Sequence, residues 1–123
     1  MLKLLLDEHI SPDVAIGFRK RNKAVTIVAL AEFENGRLIG LSDPDLLSEA
    51  ARLHLTLVTY DLRTIPPLLK CWAEEARSHG GVIFVDEKTI PPSDFGALIR
   101  ALQKLALANS FKAWTDEVIF LTR

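Results

Sequence analysis

The sequence predicts an α/β fold: a three-layer α/β/α sandwich built on a mostly parallel sheet of about five strands. Three observations point there. Short apolar runs rich in β-branched residues alternate along the chain with helical stretches of about 10–16 residues, the pattern of βαβ units. Several of those runs are apolar at consecutive positions, as strands covered on both faces are. The 123 residues are 49% hydrophobic and 25% charged, which suits one domain over residues 1–123 with an ordinary core.

Leu2 to Leu6 is the first strand, apolar except for Lys3. Ser11-Pro12-Asp13 opens a helix, with Ser at the cap, Pro in the first turn and Asp beside it. Val14, Ala15 and Phe18 form its inner stripe, and the run Arg19 to Lys23 closes it with cations that suit the dipole. Ala24 to Leu30 is the second strand. Ala31 to Leu41 carries Asn35-Gly36 and Gly40 and reads as a loop. Ser42-Asp43-Pro44-Asp45 starts the next helix, and Leu46, Leu47, Ala50 and Leu53 follow at helical spacing. Thr56 to Tyr60 is the third strand. A helix is predicted from Ile65 to about Ser78, with Leu69, Trp72, Ala73 and Ala76 on one face and Gly80-Gly81 as its stop. Val82 to Val85 is the fourth strand. Pro91-Pro92-Ser93-Asp94 opens the last long helix, whose stripe is Phe95, Leu98, Ile99, Leu102 and Leu105. Glu117 to Leu121 is the final strand. The expected strand order is 2-1-3-4-5, with right-handed crossovers placing helices on both faces.

Composition narrows the function. One cysteine gives no disulfide framework and makes a reducing, cytoplasmic setting the default; Cys71 falls inside a predicted helix and is expected to pack. No apolar run approaches the roughly 20 residues of a membrane span, and the opening segment is too short for a signal peptide. A formal net charge of -1 excludes a broadly basic nucleic-acid binder but not an enzyme that touches nucleic acid locally.

In an open parallel sheet, ligands bind beyond the carboxyl ends of the strands, where the strand order reverses. The first strand ends in Asp7-Glu8-His9 and the third in Thr59-Tyr60-Asp61, and the predicted order makes these strands neighbours. Asp43 waits at a helix N-terminus nearby. Clustered carboxylates repel by roughly 4 kcal/mol per pair at about 4 Å, so a fold keeps them together with a cation, a shared proton or a basic side chain. An all-carboxylate set without a Cys or His cluster suits magnesium or manganese better than zinc. Plainer roles stand beside this one. Asp7 and Asp61 also suit simple turns, Asp43 or Ser42 can cap the helix, and Glu8 can be a solvated loop residue. His9 is a candidate phosphate contact or a satisfied loop histidine. Asp86 and Glu87 end the fourth strand, one position further from the switch point, and read as solvated. The run Arg19 to Lys23 reads as a solvated helix end, with contact to a nucleic acid backbone as its alternative.

The blocks Leu4-Leu-Leu-Asp-Glu-His-Ile-Ser-Pro12, Ser42-Asp-Pro-Asp-Leu-Leu-Ser-Glu-Ala50 and Leu57-Val-Thr-Tyr-Asp61, in this order, resemble the small PIN-like proteins, relatives of PIN-domain (PilT N-terminus) nucleases and of VapC-like toxins. The resemblance covers nearly the whole chain. It implies an acidic pocket that binds Mg2+ or Mn2+, hydrolysis of RNA by metal-activated water, and a toxin that pairs with a small antitoxin protein and often forms a homodimer. Asp7, Asp43 and Asp61 match the family's acidic positions, and Thr59 matches the small hydroxyl residue of the third-strand motif. Glu8 is then a candidate outer-sphere base, and Arg63, His9 and Thr59 are candidate substrate contacts. Two positions depart from the pattern. Arg63 stands where a second Asp is expected, and His9 replaces an Asn. A cation at Arg63 would weaken metal binding or contact a substrate phosphate.

The expected function is therefore a metal-dependent endoribonuclease. Its rivals are a PIN-like protein with a degenerate pocket that acts as a protein-interaction module, and a receiver-like phosphoacceptor with Asp61 as acceptor and Lys88 as its lysine.

Overall fold

The computed structural model describes residues 2–109 and 112–123. Five parallel strands form one sheet in the order β2-β1-β3-β4-β5, as the sequence predicts. They are β1 (Lys3–Leu6), β2 (Thr26–Ala29), β3 (Thr56–Thr59), β4 (Val82–Val85) and β5 (Val118–Leu121). Four α-helices connect them: α1 (Pro12–Arg21), α2 (Asp43–Arg52), α3 (Ile65–Glu74) and α4 (Phe95–Ala108). Among the described residues no helix is long and apolar enough to cross a membrane.

The two faces of the sheet bury different clusters. On one face Leu4, Leu6, Val58 and Ile83 meet α1 and α4 through Val14, Phe18, Leu98 and Leu102. On the other, Leu5, Leu57, Val82 and Phe84 meet α2 and α3 through Leu46, Leu47, Ile65 and Trp72. Alternate residues of each central strand feed opposite cores, which is why both parities had to be apolar. The helix starts follow the local chemistry. The Ser11 hydroxyl accepts the Asp13 amide at 3.2 Å, Ser42 accepts Asp45 at 3.3 Å, and Asp94 accepts Ala97 at 3.1 Å. A proline stands in the first turn of α1, α2 and α3.

Three details differ from expectation. α3 stops at Glu74, not near Ser78: its last turn closes with Ala76 at φ 57, and 75–81 run on as a connection. Ala73, inside the helix, and Ala76, beyond it, are both exposed, and only Ile65 and Trp72 of this helix are buried. Cys71 is exposed rather than packed, with its thiol donating to Glu75 at 3.6 Å. The loop after β2 contains a short 3-10 turn, Phe33–Gly36, with Glu34 and Asn35 at positive φ.

The basic end of α1 has a structural task as well as solvation. β2 is an edge strand, and its Ile27 carbonyl and Ala29 amide point away from β1. The Arg19 guanidinium donates to the Ile27 carbonyl at 3.2 and 2.8 Å, and Glu32 accepts the Ala29 amide at 2.8 Å. Arg19 and Glu32 are themselves paired at 2.7 Å. One ion pair thus seals the open edge, which otherwise invites pairing with another chain. Arg19→Ala is expected to lower stability by about 1 kcal/mol in urea melts and to raise the aggregate signal in light scattering. A variant that scatters like wild type would show the edge to be guarded some other way.

Candidate functional site

β1 and β3 pair directly, and the Asp7 amide donates to the Val58 carbonyl at 3.1 Å, so the two strand ends are locked side by side. Asp7, Asp43 and Asp61 all line one small pocket there, of about 40 Å³, with Glu8, His9 and Thr59. Its apolar wall is Leu30, Leu46, Leu57 and Ile65.

Asp7 is 8% exposed, a carboxylate that directly follows the wholly buried Leu4, Leu5 and Leu6. Its Oδ1 accepts the His9 amide at 2.9 Å, and its Oδ2 accepts the Thr59 hydroxyl. Burial pushes its carboxyl above the ordinary value, and the bonds from Thr59 and His9 offset only part of that. No Lys or Arg side chain hydrogen-bonds to it among the described residues. The Thr59 hydroxyl also accepts the Asp61 amide at 3.0 Å, so one hydroxyl links the two strand ends.

Asp61 turns the chain into α3: its Oδ1 accepts the amides of Arg63 and Thr64 at 2.8 and 2.9 Å. Partial burial would raise its carboxyl, but the Thr64 hydroxyl, these two amides and the Arg63 charge together hold it below the ordinary value. The Thr64 hydroxyl lies against both Asp61 Oδ2 and Asp43 Oδ2, the latter at 2.7 Å. A hydroxyl has one proton, so it can donate to only one of them. The other carboxylate oxygen therefore faces the hydroxyl's lone pairs. Ser42, not Asp43, caps α2, which leaves the Asp43 side chain free to reach the pocket.

Glu8 and His9 are exposed at the pocket mouth, 3.9 Å apart. Arg63 is also exposed and lines an adjoining groove with Asp7, His9, Tyr60, Asp61 and Thr64. It reaches Asp61 through its amide, and its guanidinium forms no ion pair among the described residues, so the pocket is not plugged by that cation. Tyr60 donates to the Ile90 carbonyl at 2.9 Å, and burial with the charges of Glu87, Asp94 and Asp7 pushes its hydroxyl up to about 12. It stays protonated at neutral pH. Lys88 sits in the turn after β4 and lines neither the pocket nor this groove.

The donors present are carboxylate and hydroxyl oxygens, the kind that magnesium and manganese prefer. Their arrangement is less complete. Among the described residues no group of three or more His, Cys, Asp or Glu side chains is arranged to hold a metal ion. The Thr64 hydroxyl stands between two of the three carboxylates. The donors therefore fit such an ion in kind, and drawing all three onto one ion requires the Thr64 bridge to give way or to join them. Sequence reasoning missed Thr64 altogether. Its signal was the Asp61-x-x-Thr64 spacing, which a turn opening a helix produces when the first residue's carboxylate takes the later amides. A scan against protein-family models finds no matching family, and searches of the curated proteins and of the solved structures find no match.

Proposed function

We propose that this chain is a PIN-like endoribonuclease dependent on Mg2+ or Mn2+, acting as the toxin of a toxin–antitoxin pair. One observation carries the reading. Three carboxylates from three separate segments line one small pocket at the point where the strand order reverses. Keeping Asp7 buried there without a basic partner is unfavourable for the fold, and a site that binds a cation explains why it is kept. The choice of RNA as substrate and the toxin role rest on the resemblance of the three sequence blocks.

In this reading Asp7, Asp43 and Asp61 hold the ion. When bound, the ion supplies an activated water and charge stabilisation at the phosphoryl oxygen. The chain supplies the rest. Thr59 orients Asp7 by donating to Oδ2, and its oxygen fixes the Asp61 amide. Glu8, exposed at the mouth, is placed to take a proton from solvent-side water. Arg63 and His9 line the adjoining groove, where a phosphodiester backbone would meet them.

The test is manganese calorimetry on wild type and Asp61→Asn, followed by cleavage of single-stranded RNA. Wild type is expected to bind Mn2+, and Asp61→Asn to bind at least about tenfold more weakly, a difference of about 1.4 kcal/mol. Absence of binding with and without RNA would overturn the proposal. The second reading would then stand: a PIN-like scaffold with a degenerate pocket, used for protein interaction. The Thr64 bridge and the Arg63 departure are what favour it.

A further inference from the structure

The two edges of the sheet are built differently. β2 is sealed by Arg19 and Glu32, whereas β5, the other edge strand, is bare. The Val82 amide donates to the Glu117 carbonyl and the Asp86 amide to the Leu121 carbonyl, both at 2.9 Å. Residues 117, 119 and 121 therefore spend their backbone groups on β4, and those of Val118, Phe120 and Thr122 point outward. Among the described residues no side chain hydrogen-bonds to these outward groups. Val118 and Phe120 are also 42% and 66% exposed on the same face of the strand. Phe120 stacks on Phe84 at 5.5 Å with its other side open. A bare edge beside an exposed aromatic is a surface that attracts another strand.

We infer that β5 pairs with β5 of a second copy of this chain, antiparallel across a two-fold axis, to form one continuous sheet. The register follows from the outward groups. With Phe120 opposite its own copy, Val118 faces Thr122 of that copy, and all three outward residues exchange both backbone bonds. The same register sets Glu117 opposite Arg123 of the other copy, twice by symmetry. Shifting the strands by two residues either way removes this charge match and leaves fewer outward groups paired. Within one chain Glu117 contacts Lys112 at 3.6 Å and Arg123 contacts Asp94 at 3.1 Å, both at least a third exposed, so the cross-copy pair forms by exchanging or sharing these partners. The rival occupant is an acidic extended peptide, since Arg100 and Lys104 line the groove between α4 and β5. Self-complementarity of the strand ends favours the second copy.

Sedimentation equilibrium from the low micromolar to the near-millimolar range tests this. Wild type is expected to reach a mass twice that of the chain. Phe120→Glu is expected to stay monomeric with an unchanged circular dichroism spectrum. Glu117→Arg is expected to weaken the dimer about tenfold, and adding Arg123→Glu to restore it. These exposed charge changes keep the test valid if Phe120→Glu does not fold. A wild type that stays monomeric across the range would overturn the inference. So would a dimer indifferent to the charge exchange, or a monomer that binds a Glu-rich extended peptide through this groove.

Discussion

Asp7→Asn is expected to make the protein more stable at neutral pH while abolishing its metal response. The first half follows from burial. The Asp7 carboxyl lies above the ordinary value of 3.8 because folding takes it out of water. Between that ordinary value and the raised one, the folded chain holds more protons than the unfolded chain. Stability therefore falls as pH rises through the window, and the loss persists at neutral pH. The neutral amide removes the penalty. Its oxygen can still accept the His9 amide, and its NH2 can donate to Thr59. The gain should be on the order of 1 kcal/mol, or about 4 °C in melting temperature. It should vanish below the ordinary carboxyl value, where wild type is also neutral at this position. The second half follows from the proposed role. Mn2+ at about 100 times its Kd should stabilise wild type by about 2.7 kcal/mol and leave Asp7→Asn unmoved. RNA cleavage should fall about a hundredfold or more. Paired thermal melts at pH 3 and pH 7, with and without Mn2+, read all of this except cleavage. A variant less stable than wild type at pH 7 contradicts the burial argument, and a variant that still answers Mn2+ contradicts the site.

His79 titrates in the opposite sense. It is buried, its Nδ1 accepts the Gly81 amide at 3.0 Å, and desolvation holds its imidazole below the ordinary 6.5. Its contribution is intact above that value and is lost as pH falls through it. Comparing Asp7→Asn with wild type at each pH cancels this effect, because both carry His79.

Much of the fold was legible because the strong signals were local. Leu4, Leu5 and Leu6 had to be apolar on both parities, and Pro12, Pro44 and Pro66 mark helix starts by a steric rule that needs no tertiary context. The strand order placed Asp7 and Asp61 on one rim, and the pocket contains both. What stayed hidden depended on distant partners. Thr64 matters through Asp43, 21 residues away in the chain, and Arg19 through the Ile27 carbonyl and Glu32. Cys71 was misread because helical spacing gives the face of a residue but not whether anything covers that face. The two plain roles weighed for Asp7 and Asp61 were also correct as far as they went. Each carboxylate does bond to nearby amides through Oδ1, while its Oδ2 meets a threonine hydroxyl, Thr59 for Asp7 and Thr64 for Asp61.

Gly80-Gly81 shows the same limit and yields the largest stability effect. The pair reads as a helix stop, yet α3 has already ended at Glu74. The glycines are required by close approach. A Cβ on Gly80 would lie 2.4 Å from the Leu55 carbonyl oxygen, and one on Gly81 would lie 2.7 Å from that of Trp114. Gly81 also sits at φ +100, and its carbonyl accepts the Leu57 amide at 3.1 Å, which aligns β3. Both obstacles are backbone, so neither can swing aside as a side chain would. Gly81→Ala is expected to cost about 3–4 kcal/mol, overpacking and left-handed strain together. That is a large share of the roughly 5–15 kcal/mol that holds a domain folded. Gly40→Ala separates the two terms. Gly40 has φ +83 but open space where a Cβ would go, so it should lose only about 1 kcal/mol. Urea melts of the two variants test the difference directly. Equal losses would mean that the backbone between Trp114 and β4 yields to a methyl group. Unequal losses would show that the close approach to the Trp114 carbonyl, and not positive φ alone, makes glycine necessary at position 81.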